Sequence, residues 1–239
     1  MKAVIYILAI LFPALTFGQD TKEIEPIIGK SFKITIEEQK DWERAWKLLN
    51  EINDFTANYD SISEKDRNLI DKLEIGEGPI AEWGDTWNSV AYPYKLTVSS
   101  ELKGDNQVNY KKENLSDNNL LTAWIPENTN SGIGEKINFY FKTNNPRVNT
   151  ITIFNGYMKN QKLWIENSRV KTIKISVNGA DFAILRLQDS PTSQSFHFKP
   201  LQNKDKDLII TLEITEIYNG KKWNDTAISE ITFDGLDVF

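Results

Sequence analysis

Two kinds of hydrophobic spacing divide the chain. From Asp41 onward, Trp42, Ala45, Trp46, Leu49, Ile52 and Phe55 recur at steps of three and four, while Glu43, Arg44, Lys47, Asn50 and Asn53 fill the positions between. That is one apolar face of a helix. Ser63-Glu64-Lys65-Asp66 resembles a capping box and starts a second, shorter helix that runs to about Glu74. Residues 24–78 therefore read as mainly helical, and Gly76-Glu77-Gly78-Pro79 makes a boundary. Trp42 and Trp46, one turn apart, serve either to pack this helix onto its neighbours or as a ridge for a protein partner.

Beyond Tyr92 the period falls to two. Ile137, Phe139 and Phe141 share a face, as do Ile173, Ile175 and Val177, and Ile210, Leu212 and Ile214. Candidate strands cover 94–99, 137–142, 150–154, 170–177, 182–187, 195–199, 208–217 and 228–233. Short strands separated by Asn-, Gly- and Pro-containing turns, without helices between them, predict a mainly β fold, an antiparallel jelly-roll β-sandwich. The expected organisation is a helical segment over 19–79 and the sandwich over 80–239.

Residues 1–18 stand apart. A lysine at position 2, an apolar run from Ala3 to Leu15 and the small residues of Thr16-Phe17-Gly18 predict a cleaved signal peptide, with Gln19 as the mature start. The run is too short to span a bilayer, and no other stretch approaches ~20 apolar residues. The expected location is periplasmic or secreted. The chain has no cysteine, so a sandwich there relies on its core or on a bound metal. The net charge of −6 argues against a nucleic-acid binder.

Catalytic chemistry finds little footing. His197 is the single histidine, set between Phe196 and Phe198 on a predicted strand, where alternation turns it away from the core. Nucleophile–base pairs built on cysteine are excluded, as are the usual Cys/His zinc sites. Neither a phosphate-binding Gly-rich loop nor a dinucleotide fingerprint occurs. Carboxylates are plentiful enough to leave a paired-carboxylate hydrolase open. The expectation is a protein that is not an enzyme.

Three stretches are unusual together: Asn114-Leu115-Ser116-Asp117-Asn118-Asn119-Leu120-Leu121-Thr122-Ala123-Trp124; Asn155-Gly156-Tyr157 followed by Asn167-Ser168-Arg169; and the run from Ile217 to Ile231 containing Trp223, Asp225-Thr226 and Ser229-Glu230. Asp117, Thr122 and Glu230, with loop carbonyls, would supply the all-oxygen environment that Ca²⁺ prefers. The plainer reading has Asp117 and Thr122 capping a turn. Asn155, Tyr157, Asn167 and Arg169 suit a hydroxyl-rich ligand, or else Asn167 and Arg169 pin loop backbone. Tyr157, Trp164, Tyr218 and Trp223 are candidate stacking platforms for sugar rings. Asp225 pairs with Arg169, approaches the metal or holds the Gly220 turn.

The order of these motifs, together with Gly132-Ile133-Gly134-Glu135 before a strand, resembles the discoidin-like, coagulation-factor type C domains of the galactose-binding-like superfamily. Over approximately residues 92–239 it is most similar to the NADase-type glycan-binding, or NAD glycohydrolase translocation, branch. The resemblance implies a glycan ligand and a structural Ca²⁺ joining the Asp117 loop to the last strand. It does not bring NAD hydrolysis, which in the resembled enzymes belongs to a separate domain. The rival reading is a protein-interaction module of an envelope or toxin-associated system that docks through the Trp42/Trp46 helix.

Overall fold

The computed structural model describes residues 22–31, 36–74, 92–105, 108–117, 119–127, 130–143, 147–201 and 204–236. The expected signal peptide, Asn118 and the expected boundary near residue 79 lie outside these.

Two sheets face each other across one core. Their strands are β1 (Lys22–Ile24), β2 (Ile27–Ser31), β3 (Lys95–Val98), β4 (Lys136–Phe141), β5 (Arg147–Asn155), β6 (Arg169–Val177), β7 (Ala180–Arg186), β8 (Thr192–His197), β9 (Leu208–Tyr218) and β10 (Ile228–Leu236). The larger sheet runs β1-β7-β6-β9-β4-β3 and the smaller one β10-β5-β8-β2. All pairings are antiparallel except β1 with β7, which is parallel. The fold is the mainly β, two-sheet sandwich that the alternation predicts.

Alternation turns one face of each strand inward, and the core follows from it. Ile137, Phe139, Phe141, Ile173, Ile175, Ile210, Leu212 and Ile214 are buried from the larger sheet, and Ile151, Ile153, Phe196, Ile231 and Phe233 from the smaller. Phe233 inserts edge-on between Phe139 and Phe141, with ring centroids 4.7 and 5.0 Å away. Such edge contacts stabilise by about 0.5–1.5 kcal/mol beyond burial alone. Trp124 is fully buried in this core and donates its Nε1 hydrogen to the Ser100 carbonyl at 3.1 Å. Asn178 and Gly179, both at positive φ, close the tight β6–β7 hairpin.

The N-terminal segment, which the sequence predicts to be mainly helical over 24–78, also contributes two strands. Residues 22–31 enter both sheets: β1 lines up with β7, and β2 with β8. Only 36–74 forms the helices, α1 (Ile36–Asn53) and α2 (Glu64–Glu74). Ser63 Oγ caps α2 by accepting from the Asp66 N–H at 3.1 Å. Arg44 then ties the two helices together through a two-pronged contact with Asp66, at 3.0 and 2.9 Å. Trp46 packs on Leu120, Leu121, Phe154 and Met158 of the sandwich, so the packing reading of this tryptophan holds rather than the free ridge. The side chain of Trp42 lies outside the described residues.

Candidate functional site

The motifs singled out in the sequence meet where β5, a short helix α3 (Gln161–Glu166) and the β9–β10 connection come together. Asn155 ends β5. Its amide donates to the Val170 carbonyl at 2.7 Å and accepts from the Val170 N–H at 2.9 Å, joining β5 of one sheet to β6 of the other. Only 1% of the residue is exposed. Gly156 follows at φ +95, and a Cβ there would meet Trp164 at 2.7 Å and Arg169 at 2.8 Å. The Trp164 indole N–H reaches back to the Asn155 carbonyl at 2.9 Å. Asn160 caps α3 by accepting from the Leu163 N–H at 2.9 Å.

Arg169 is the centre of this arrangement and is 6% exposed. Its Nε and Nη2 both hold Asp189, at 3.0 Å and 2.8 Å. Its Nη1 donates to the Asn167 carbonyl at 2.8 Å and to the Asn219 carbonyl at 3.3 Å. The guanidinium also lies 4.7 Å over the Trp164 ring. Five donors in a planar fork suit this many-partner role, which lysine could not fill. Of the three roles open to Asp225, pairing with Arg169 is taken by Asp189; the Asp225 carbonyl accepts from the Ser168 N–H at 2.9 Å.

Of the eight predicted ligand contacts, four are buried and three half-buried. Asn155, Asn167 and Arg169 are buried, and each bonds backbone: Asn155 that of Val170, Asn167 the Leu163 carbonyl, and Arg169 the Asn167 carbonyl. Tyr157 is buried too, edge-on to Tyr110, and burial pushes its phenol up to about 12. Tyr218 donates its hydroxyl to the Leu187 carbonyl at 3.0 Å. Trp164 is half-buried under Arg169, and Asp225 is half-buried in the connection. Trp223 is the exception, at 45% exposed.

Beside Trp223 runs an open groove of about 640 Å³, lined by Gln161, Lys162, Ile165, Glu166, Lys221 and Lys222. The β9–β10 connection forms one wall. It is held against α3 by the N–H groups of Lys221, Lys222 and Trp223, which donate to the Ile165 and Glu166 carbonyls at 2.8–3.1 Å. Gly220 permits this approach, since a Cβ there would lie 2.4 Å from the Glu166 carbonyl oxygen. Sequence reasoning missed α3, Asp189 and the groove lysines. The Asn160 cap and the Lys221-Lys222-Trp223 triplet were the available signals.

The predicted metal ligands also come together. The Asp117 carboxylate accepts from the Thr122 hydroxyl at 2.8 Å and the Asn119 N–H at 3.0 Å, the turn-capping arrangement. Glu230 is fully buried, and its carboxyl lies close enough to Asp117 to act on its titration. Burial holds the Asp117 carboxyl up at about 6, against the lowering effect of Thr122, Asn119 and Glu230. A second link joins the motifs: the Thr226 hydroxyl donates to the Ser131 carbonyl at 2.5 Å, tying Asp225-Thr226 to the Gly132 turn. Among the described residues, no group of three or more His, Cys, Asp or Glu gathers as a metal site. His197 is exposed and hydrogen-bonds the Thr150 hydroxyl at 2.9 Å. No described helix is long and apolar enough to cross a membrane.

Solved structures with a similar course include the two CBM32 modules and M60 catalytic domain of Clostridium perfringens ZmpB (11% identity, 62% of this chain, TM-score 0.46). The chain spans 15% of that protein's length. The CBM32-4 module of C. perfringens GH89, solved with GlcNAc-α-1,4-galactose, is 17% identical over 63% of this chain and 96% of its own, at TM-score 0.40. An F5/8 type C domain from Bacteroides fragilis gives 17% identity, 63% and 98% coverage, and TM-score 0.40. No curated relative matches. Residues 87–234, from before β3 to within β10, match the family described as the NAD glycohydrolase translocation F5/8 type C domain, and the chain belongs to that family.

Proposed function

We propose that this chain is an exported, non-catalytic glycan-binding module whose sandwich holds a structural calcium ion. The observation that carries the glycan reading is the groove between α3 and the β9–β10 connection, whose lining Lys222 holds its ammonium 4.6 Å from the exposed Trp223 ring. A volume of about 640 Å³ is in the range of small-ligand sites. A sugar presents C–H faces that pack on an indole and hydroxyls that pair with Gln161, Glu166 and the lysines. The buried hub of Asn155, Trp164 and Arg169 acts beneath it as the support that keeps both walls in place.

The non-catalytic part rests on the lining. Among the described residues, Glu166 is the one carboxylate lining this groove, and Glu216 the one lining a second, smaller hollow of about 350 Å³ near Ile133 and Ile217. Carboxylate-based glycoside hydrolysis needs two acids facing one substrate. Export rests on the apolar, signal-like run of residues 3–15.

Calcium fits the donor set. Half-buried Asp117 and fully buried Glu230 bring two carboxylates together, and two charges side by side away from water are costly without a cation. Asp117, Thr122 and Glu230, with neighbouring carbonyls, would hold the ion, which neutralises the pair and fastens the loop to β10. A glycan array followed by calorimetry on the wild type and Trp223→Ala tests the function. Loss of a detected glycan in the variant supports it, and silence of the folded wild type across diverse glycans overturns it.

A further inference from the structure

Resting on the glycan-binding reading, we propose that the groove takes an anionic saccharide, one whose ring carries a carboxylate or sulfate group. The chain as a whole is acidic, with 34 Asp and Glu against 28 Lys and Arg. The groove reverses that balance, because its six lining residues include Lys162, Lys221 and Lys222 and a single acid, Glu166. Three lysines on the strands of the larger sheet are matched with carboxylates: Lys171 with Glu216 at 2.7 Å, Lys174 with Asp181 at 2.8 Å and Lys136 with Glu213 at 3.5 Å. None of the three groove lysines has such a partner among the described residues.

Their placement is built rather than incidental. Lys221 and Lys222 are held to the carboxyl-terminal end of α3 by backbone hydrogen bonds at 3.0 and 3.1 Å, and Lys162 rises from the same helix. Below, the Arg169 guanidinium bonds the carbonyls of Asn167 and Asn219, one from each wall. The Lys222 ammonium lies 4.6 Å from the Trp223 ring centroid. An indole with an ammonium beside it complements a sugar that offers a C–H face together with an acid group. Trp223, 45% exposed, offers ring surface for stacking, and Lys162 and Lys221 meet further anionic groups along the groove. An overall negative protein with one local cationic groove also selects a short acidic ligand over an extended polyanion such as nucleic acid, which the remaining surface repels.

The experiment compares matched probes by calorimetry: oligogalacturonate against oligogalactose, and keratan sulfate oligosaccharides against their desulfated, neutral forms. The wild type is expected to bind each acidic probe roughly tenfold more tightly than its neutral counterpart at low salt. That preference should shrink in about 0.5 M NaCl, where exposed charges are screened within a few ångströms. The Lys162→Ala/Lys221→Ala/Lys222→Ala variant should bring the acidic and neutral affinities together. Neutral probes bound as tightly as acidic ones, or a preference that survives the triple substitution, overturn the anionic assignment while leaving glycan binding intact. Silence toward all four saccharides overturns the glycan reading and this inference with it, as does binding of inorganic sulfate alone.

Discussion

The Arg169 guanidinium clasps the Asp189 carboxylate from two nitrogens, with Nη2 2.8 Å from each oxygen and Nε 3.0 Å from one. The two ends of this pair differ in exposure: the Arg169 side chain is 8% exposed and that of Asp189 39%. Removing the buried member should therefore cost far more than neutralising the outer one. Arg169→Ala opens a cavity and frees the Asn167 and Asn219 carbonyls, and should cost about 3 kcal/mol. Asp189→Asn keeps much of the geometry and, with solvent screening, should cost about 1 kcal/mol or less. Urea unfolding of both variants checks this, and equal losses would contradict the hub role of Arg169.

Gly156 and Gly179 share a left-handed backbone, at φ +95 and +85, but not their surroundings. A Cβ at Gly179 meets nothing within 4 Å, whereas at Gly156 it runs into Trp164 and Arg169. Gly179→Ala should cost only the conformational term, about 1 kcal/mol. Gly156→Ala adds overpacking against the hub and should cost about 3 kcal/mol. Thermal melts of the pair separate the two effects, and matching melting points would show that the hub yields easily.

These two glycines mark where the sequence was readable. Eight strands were visible because Ile137, Phe139 and Phe141, and their equivalents elsewhere, alternate against a solvated face. β1 and β2 were hidden, since Ile27 is 61% exposed and no alternation survives in so short a strand. Their partners β7 and β8 lie some 160 residues away, beyond the reach of local pattern. The cluster of Asp117, Thr122 and Glu230 was legible from motif order. The fate of Asn155 and Arg169 was not, because amide and guanidinium groups serve a ligand and a backbone equally well. Asp189 carries no local signal at all: only the folded chain brings it to Arg169.

Trp46 couples the helical pair to the sandwich through Leu120, Leu121, Phe154 and Met158. Trp46→Ala should lower stability by about 2 kcal/mol, since the indole is only partly buried. It should also make 36–74 more susceptible to limited proteolysis while the sandwich stays intact. Unchanged cleavage and an unchanged midpoint would mean that this contact does not hold the helices in place.

The Tyr157 phenol gives the chain an alkaline weakness. Burial raises it from 10.0 to about 12 in the folded state, while the unfolded chain titrates near the lower value. Between these values the folded protein keeps a proton that the unfolded one releases. The associated stability is thus full below pH 10 and lost as pH rises through 12, by about 2–3 kcal/mol. Tyr157→Phe should flatten that decline relative to the wild type in denaturant titrations between pH 9 and 11.5. A parallel decline in both proteins would remove Tyr157 as its source.

Calcium, if held by Asp117, Thr122 and Glu230, binds the folded chain alone, because the loop and β10 separate on unfolding. Mass action then stabilises the fold by about 2.7 kcal/mol at one hundred times the dissociation constant. For a chain of this size that corresponds to roughly 5–10 °C in the thermal midpoint. Chelator should lower the midpoint by this amount, and excess Ca²⁺ should restore it. Glu230→Gln should remove the response to both reagents, because the neutral amide supplies an oxygen without charge. It should also relieve the crowding of the two carboxyls, so the metal-free variant should melt no lower than the metal-free wild type. A wild type indifferent to chelator would leave Asp117 and Thr122 as a turn cap, and the Asp117–Glu230 contact as a shared proton between two acids.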